Sequence, residues 1–209
     1  MMELRQTLHL VTSGKQSLEQ VVEIVRAAFK GGADFVHIRE KQRTAREILQ
    51  WVETLAEYIP RSRIIVNDRV DVAVVTHSKG VHLAYHSLPP AQAKQLLHND
   101  QLMGCSIHSL SEAKSLAQSG AGYLLYGHIY PSASKPGLTA RGTDELSRIV
   151  KQVDIPVIAI GGITPERTGE VMRTGCAGIA VLSGITGATD PEEAARAYRR
   201  ELDAKGKEK

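Results

Sequence analysis

Apolar positions along the chain take two forms, short runs of Val, Ile and Leu and longer stretches in which they recur every three or four residues. The alternation predicts strand followed by helix from one end to the other. Thr7 to Val11 reads as a strand, and from Leu18 the positions Val21, Val22, Val25, Ala28 and Phe29 keep helical spacing until Gly31-Gly32 stops them. The phrase repeats as Ala33 to Ile38 with Ala45 to Tyr58, Arg63 to Val66 with Val70 to Thr76, and Val81 to Leu83 with Pro90 to Leu97. It continues as Leu102 to Ser106 with Leu110 to Gln118, Tyr123 to Tyr126 with Thr143 to Val153, Val157 to Ile160 with Pro165 to Arg173, and Ile179 to Leu182 with Pro191 to Leu202. The expectation is eight strands, each followed by a helix.

An internal echo marks the same divisions. Gly31-Gly32-Ala33-Asp34, Ser119-Gly120-Ala121-Gly122 and Thr174-Gly175-Cys176-Ala177-Gly178 each close a helix with a glycine suited to a left-handed cap and open a strand. Eight such units with no linker predict an α/β fold of the closed (β/α)8, or TIM barrel, type over residues 1–204, with residues 205–209 a charged, frayed tail. An open doubly wound sheet would need fewer strands and a nucleotide fingerprint after the first.

Composition sharpens this. Of 209 residues, 42% are hydrophobic but only 4% aromatic, so the core is built from aliphatic side chains, as parallel sheets are, and an all-β sandwich is disfavoured. Lys and Arg number 26 against 23 Asp and Glu, a near balance without aromatic-basic motifs, which fits a local anion site better than a nucleic-acid groove. The two cysteines, Cys105 and Cys176, have no metal-ligand spacing and are expected in the core. No apolar run approaches the roughly 20 residues of a membrane span and no signal peptide is evident, so a cytoplasmic protein is expected. The sequence leaves homo-oligomerisation open.

In such a barrel, chemistry lies at the C-terminal ends of the strands. After strand 2, alternation sends His37, Arg39 and Lys41 to one side, a cationic cluster suited to phosphate or carboxylate. After strand 3, Asn67-Asp68-Arg69 offers a carboxylate that could hold Mg2+ or cap the next helix, the cap being the simpler reading. After strands 7 and 8, Gly162 and the pair Ser183-Gly184 offer backbone N–H groups to a phosphate, helped by the end of a short helix. After strand 6 comes the longest irregular stretch, in which His128 has an imidazole able to remove and return a proton near neutrality, while Ser132, Ser134 and Lys135 could grip an anion. His9 and His82, inside strands, are expected to be structural, and His108 is a second candidate.

Motifs along nearly the whole chain carry a resemblance: His-Ile-Arg-Glu-Lys at 37–41, Asn-Asp-Arg-Val-Asp at 67–71, Gly-Val-His-Leu at 80–83, Gly-His-Ile-Tyr-Pro-Ser-Ala-Ser-Lys at 127–135, Ala-Ile-Gly-Gly-Ile at 159–163 and Val-Leu-Ser-Gly-Ile at 181–185. The chain resembles the thiamine phosphate synthase superfamily and, within it, the TenI branch of thiazole tautomerases. That resemblance implies a TIM barrel that aromatises a carboxythiazole phosphate tautomer, with no metal and no organic cofactor, and with the acid/base histidine at His128. The synthase branch, which transfers a pyrimidinylmethyl group with Mg2+, is also similar at Arg39, Lys41, Asn67, Asp68 and Lys135. It differs in carrying Gln at the position of His37, a second metal-binding Asp at Ser87 and Pro at His128. The implied partner is a small-molecule thiazole phosphate carboxylate, not a nucleic acid or membrane. A Mg2+-dependent transferase and a non-catalytic sensor of a phosphate ligand are the competing readings.

Overall fold

A computed structural model describes residues 6–132 and 137–205. Its strands are β1 (Thr7–Val11), β2 (Phe35–Ile38), β3 (Ile64–Asn67), β4 (Gly80–Leu83), β5 (Leu102–Ile107), β6 (Tyr123–Gly127), β7 (Val157–Ile160) and β8 (Gly178–Val181). They pair in sequence order, all parallel, and β8 returns to β1 with Thr7 opposite Gly178, so the sheet is the expected closed barrel. Between them run α1 (Leu18–Lys30), α2 (Ala45–Ala56), α3 (Val70–Val75), α4 (Pro90–Leu96), α5 (Leu110–Gln118), α6 (Gly142–Val150), α7 (Pro165–Met172), the short α8 (Ser183–Thr186) and α9 (Pro191–Lys205).

Local chemistry sets many of these boundaries. Ser17 with Gln20 and Thr44 with Glu47 form capping boxes that satisfy the first amides of α1 and α2. The echoed glycines Gly32, Gly120 and Gly175 all take positive φ at helix ends. Some expectations shift: β2 begins at Phe35, not Ala33, α2 stops at Ala56, short of Tyr58, α6 stops at Val150, short of Val153, and the unit after β8 begins with α8, which the residue pattern had not separated. The last helix extends to Lys205, one residue into the expected tail, and residues 206–209 lie outside those described.

The core has two shells. Between sheet and helices, residues such as Leu8, Leu10, Val36, Ile38, Val66 and Leu124 are buried. Inside the barrel lies a much smaller apolar cluster of Val11, Ile65, Tyr123, Leu125, Ile158 and Ala180. Much of the remaining interior is polar, with His9, His37 and His82 all buried. Gly104 accommodates the bulkiest member, since a Cβ there would lie 1.9 Å from the Tyr123 ring. Both cysteines are buried as free thiols, as composition suggested.

Candidate active site

The strand order brings the C-terminal ends of all eight strands to one rim. His128 directly follows β6 and is 4% exposed, joined to Gly127 by a cis peptide bond. Its Nε2 lies 3.3 Å from the Leu138 carbonyl, which can only accept, so Nε2 carries a proton and the lone pair of that tautomer lies on Nδ1. Nδ1 is buried and has no hydrogen-bond partner among the described residues. The segment that supplies Leu138 is tied down next to it: Arg141 N–H donates to the His128 carbonyl and Gly142 N–H to that of Ile129, both at 3.0 Å. Gly161, at φ +103°, packs against the same residue, and a Cβ there would stand 2.3 Å from His128 Cβ.

The cationic cluster after β2 is only partly as alternation placed it. His37 points inward and is 1% exposed. Burial pushes its pKa down to about 4, with the Asn67 side chain pulling the other way, so the ring is neutral and belongs to the floor of the site, not to an anion clamp. Arg39 is half-buried and Lys41 exposed, and neither side chain has a charge partner among the described residues. Lys41 lies in the turn beyond β2, where strand alternation no longer governs direction. Glu40 does not neutralise them, because its carboxylate accepts from Thr12 and Arg43.

His9 and His82, expected to be structural, do pack inside the barrel, but as members of a hydrogen-bonded network. His9 Nδ1 lies 2.9 Å from His37 Nε2. His82 joins Tyr123 at 3.1 Å and Ser106 at 2.9 Å. Burial, followed by the neighbouring imidazoles, holds the His9 pKa well below its usual value, and burial followed by His37 does the same for His82. The signal was available in the sequence: His9 shares strand parity with the inward Val11, as His37 does with Phe35.

Asp68 is not a helix cap. Arg69 occupies the N-cap position of α3 without a side-chain bond, and pairs with Asp71. Asp68, at φ +62°, accepts a hydrogen bond from Ser87 on Oδ1, while His86 Nε2 stands 3.5 Å from Oδ2. Ser87 and His86 come from the loop after β4, so this contact joins two neighbouring rim loops. Among the described residues no three His, Cys, Asp or Glu side chains converge as a metal site.

Across the rim, the N–H groups of Gly162, Ser183 and Gly184 meet no acceptor among the described residues, leaving them available to an anion, with α8 beginning at Ser183. Ser132 is half-buried, whereas Ser134 and Lys135 lie outside the described residues. His108 sits at the start of α5 with Nδ1 3.5 Å from Glu112, and its carbonyl accepts from Arg141.

A family model described as thiamine monophosphate synthase, TMP-TENI, matches residues 8–185. A thiamine-phosphate synthase of Chlorobium luteolum is 40% identical over 178 residues, 84% of each chain. One from Pyrococcus furiosus is 37% identical over 201 residues, 95% of this chain and 97% of its own. Among solved structures, a thiamine phosphate pyrophosphorylase from Pyrococcus furiosus superposes with a TM-score of 0.86 at 34% identity, covering 98% of both chains. A 3-hexulose-6-phosphate synthase, at 15% identity and a TM-score of 0.74, shares the fold alone.

Proposed function

This chain belongs to the thiamine monophosphate synthase family of thiamine biosynthesis, and on that basis we propose that it is the family's tautomerase rather than its synthase: an isomerase that aromatises a carboxythiazole phosphate by proton transfer. The observation that carries the choice is Asp68, which accepts a hydrogen bond from Ser87 on Oδ1 and has His86, not a second carboxylate, 3.5 Å from Oδ2. Mg2+ binds most readily where carboxylate oxygens are free to meet it in octahedral geometry. A single carboxylate that already accepts a hydroxyl hydrogen bond, with no second carboxylate beside it, does not fit that demand.

The reaction the site supports is an internal relocation of one proton. The bare Nδ1 of His128 takes the proton from C2 of the thiazole ring, the electron pair passes into the ring, and the exocyclic carbon takes the proton back. The imidazole returns to its starting state, so atoms and charge balance, and aromaticity supplies the driving force. The Leu138 carbonyl holds the Nε2 proton in place during this cycle. The amides of Gly162, Ser183 and Gly184 hold the phosphate, Arg39 supplies charge for the carboxylate, and the remote phosphate contacts orient the reacting carbon. In this reading the enzyme is cytoplasmic, needs no metal or organic cofactor, and takes only the small thiazole phosphate carboxylate as partner.

The names of the relatives favour the second reading, since proteins 33–41% identical to this chain are called thiamine-phosphate synthases. One assay separates the two. The protein is supplied with the non-aromatic tautomer, and separately with aromatic thiazole phosphate and the pyrimidine diphosphate, each with Mg2+ or EDTA. Aromatisation in EDTA supports the first reading. Mg2+-dependent release of pyrophosphate with thiamine phosphate formation replaces it with the second.

A further inference from the structure

Where β1 and β2 end, a side chain stands in for the backbone. The register sets Val11 opposite His37, and the ladder continues as far as Thr12 N–H, which donates to the His37 carbonyl at 3.0 Å. In a parallel ladder the next bond would run from Arg39 N–H to the Thr12 carbonyl. Here Arg39 N–H donates instead to the Thr12 hydroxyl, at 2.9 Å. The chain after β1 is thereby free to bend away while the backbone at Arg39 stays held.

Thr12 is 1% exposed, and its hydroxyl donates to Glu40 Oε1 at 2.7 Å. The directions are fixed, because a backbone N–H can only donate, which leaves the single hydroxyl proton for the carboxylate. Glu40 is itself buried, and Arg43 Nε donates to its other oxygen at 3.2 Å. A buried carboxylate is costly unless paired and hydrogen-bonded, as this one is. Its sequence neighbours Arg39 and Lys41 take no part in that pairing. The same cluster reaches across the rim. Arg43 Nη2 donates to the Gln16 carbonyl at 3.3 Å, and Gln16 Nε2 donates at 3.2 Å to the carbonyl of Thr186, the last residue of α8. Continuous bonds thus run from Arg39 N–H to the helix whose first amides are open to an anion.

We propose that Thr12, seated on the buried Glu40 carboxylate, is a positioning residue that sets the root of Arg39 relative to α8, so that guanidinium and α8 amides receive two anionic groups of one substrate. A long side chain rooted in a held backbone loses less freedom when its tip is ordered on a ligand. Selectivity for a ligand with both anionic groups over one with phosphate alone follows from that spacing. The idea rests on the reading in which Arg39 meets the carboxylate and the amides meet the phosphate.

The test uses two probes, the aromatic carboxythiazole phosphate and the same ring phosphate without its carboxylate. Wild-type protein should prefer the first. Thr12→Val should reduce that preference about three- to tenfold with affinity for the second probe unchanged, and Thr12→Ser, which keeps the hydroxyl, should retain it. In an Arg39→Met background Thr12→Val should cost nothing further, since both changes remove one interaction. Thr12→Val strands a Glu40 oxygen; if it does not fold, Thr12→Val with Glu40→Met removes the hydroxyl without leaving that carboxylate unpaired, and the same loss is expected. An unchanged preference in the valine variant, an equal loss in Thr12→Ser, or a loss that persists in Arg39→Met overturns the positioning role. Wild-type protein that binds both probes equally, or neither, overturns the carboxylate reading of Arg39 and the substrate-facing role of Thr12 with it. Hydrogen exchange at the Arg39 amide judges the hold apart from any ligand: it should accelerate in the valine variant and not in Thr12→Ser, and an unchanged rate in the valine variant overturns it.

Discussion

Gly161 and His128 are pressed together, the space an alanine methyl would occupy lying 2.3 Å from His128 Cβ and 2.7 Å from its Cα, so the absence of a side chain after β7 is what admits the His128 backbone after β6. Gly161→Ala is therefore expected to displace His128 and to strain a backbone held at φ +103°. The cost should be about 1–3 kcal/mol in stability, with turnover reduced in the folded fraction. Denaturant unfolding and turnover on the same preparation check this. A variant with wild-type values for both would mean the loop relaxes freely and does not position His128.

His128→Asn should lower kcat by about 10²–10⁴-fold, the range typical of a lost general acid or base. Ligand affinity should fall little, because Asn keeps a donor for the Leu138 carbonyl. Thermal midpoint, thiazole phosphate affinity and single-turnover rate separate this from mere packing. Wild-type turnover would shift the proton transfer to another group.

Ser87→Asp places a second carboxylate beside Asp68 in place of a hydrogen-bond donor. Mutual repulsion should lower the thermal midpoint by about 2–4 °C in a chain of this size, and millimolar Mg2+ should restore it. A midpoint unchanged by substitution and metal alike would show that the two loops are not coupled through this contact.

Arg39→Met should weaken binding of the anionic substrate by about ten- to hundredfold, as for loss of a hydrogen bond to a charged group. Lys41→Met, on an exposed side chain, should cost less than about fivefold. Neither should move the thermal midpoint, since neither cation has a protein partner among the described residues. Calorimetric titration decides, and the reverse ranking would assign the anion to the turn beyond β2.

Acid should unfold the protein earlier than its carboxylates require. His37 has its pKa lowered to about 4 in the folded state against about 6.5 unfolded. Between those values the unfolded chain binds more protons, so stability is complete above the upper limit and is lost as pH falls toward the lower. His9 and His82 act in the same direction. Urea midpoints at pH 7.5, 6 and 5 should fall in that order, and His37→Gln should flatten the trend. A flat wild-type profile would mean that these rings are hydrated.

The barrel was legible because each strand and its helix announced themselves by separate periodicities, and because Gly32, Gly120 and Gly175 sit where a helix must end and turn back. The rim followed from the fold, which made His128, Gly162 and Ser183 candidates by position alone. Less legible was anything that depends on what stands opposite a residue. His37 looked like part of a cationic cluster, and only its burial inside the barrel, beside His9, reveals it as neutral. Asp68 looked like a cap, and its bond to Ser87 joins positions that spacing along the chain does not relate.

The polar barrel interior has an evolutionary consequence. Because His9 Nδ1 meets His37 Nε2 and His9 Nε2 meets Thr7, replacing any one of the three with an aliphatic residue strands a buried nitrogen or hydroxyl on its neighbour. An aliphatic interior can drift one methyl group at a time, but this one cannot. Positions 7, 9 and 37 are bound into a single heritable unit, expected to change in concert as lineages diverge. A substitution tolerated in one descendant should prove damaging when transplanted alone into another.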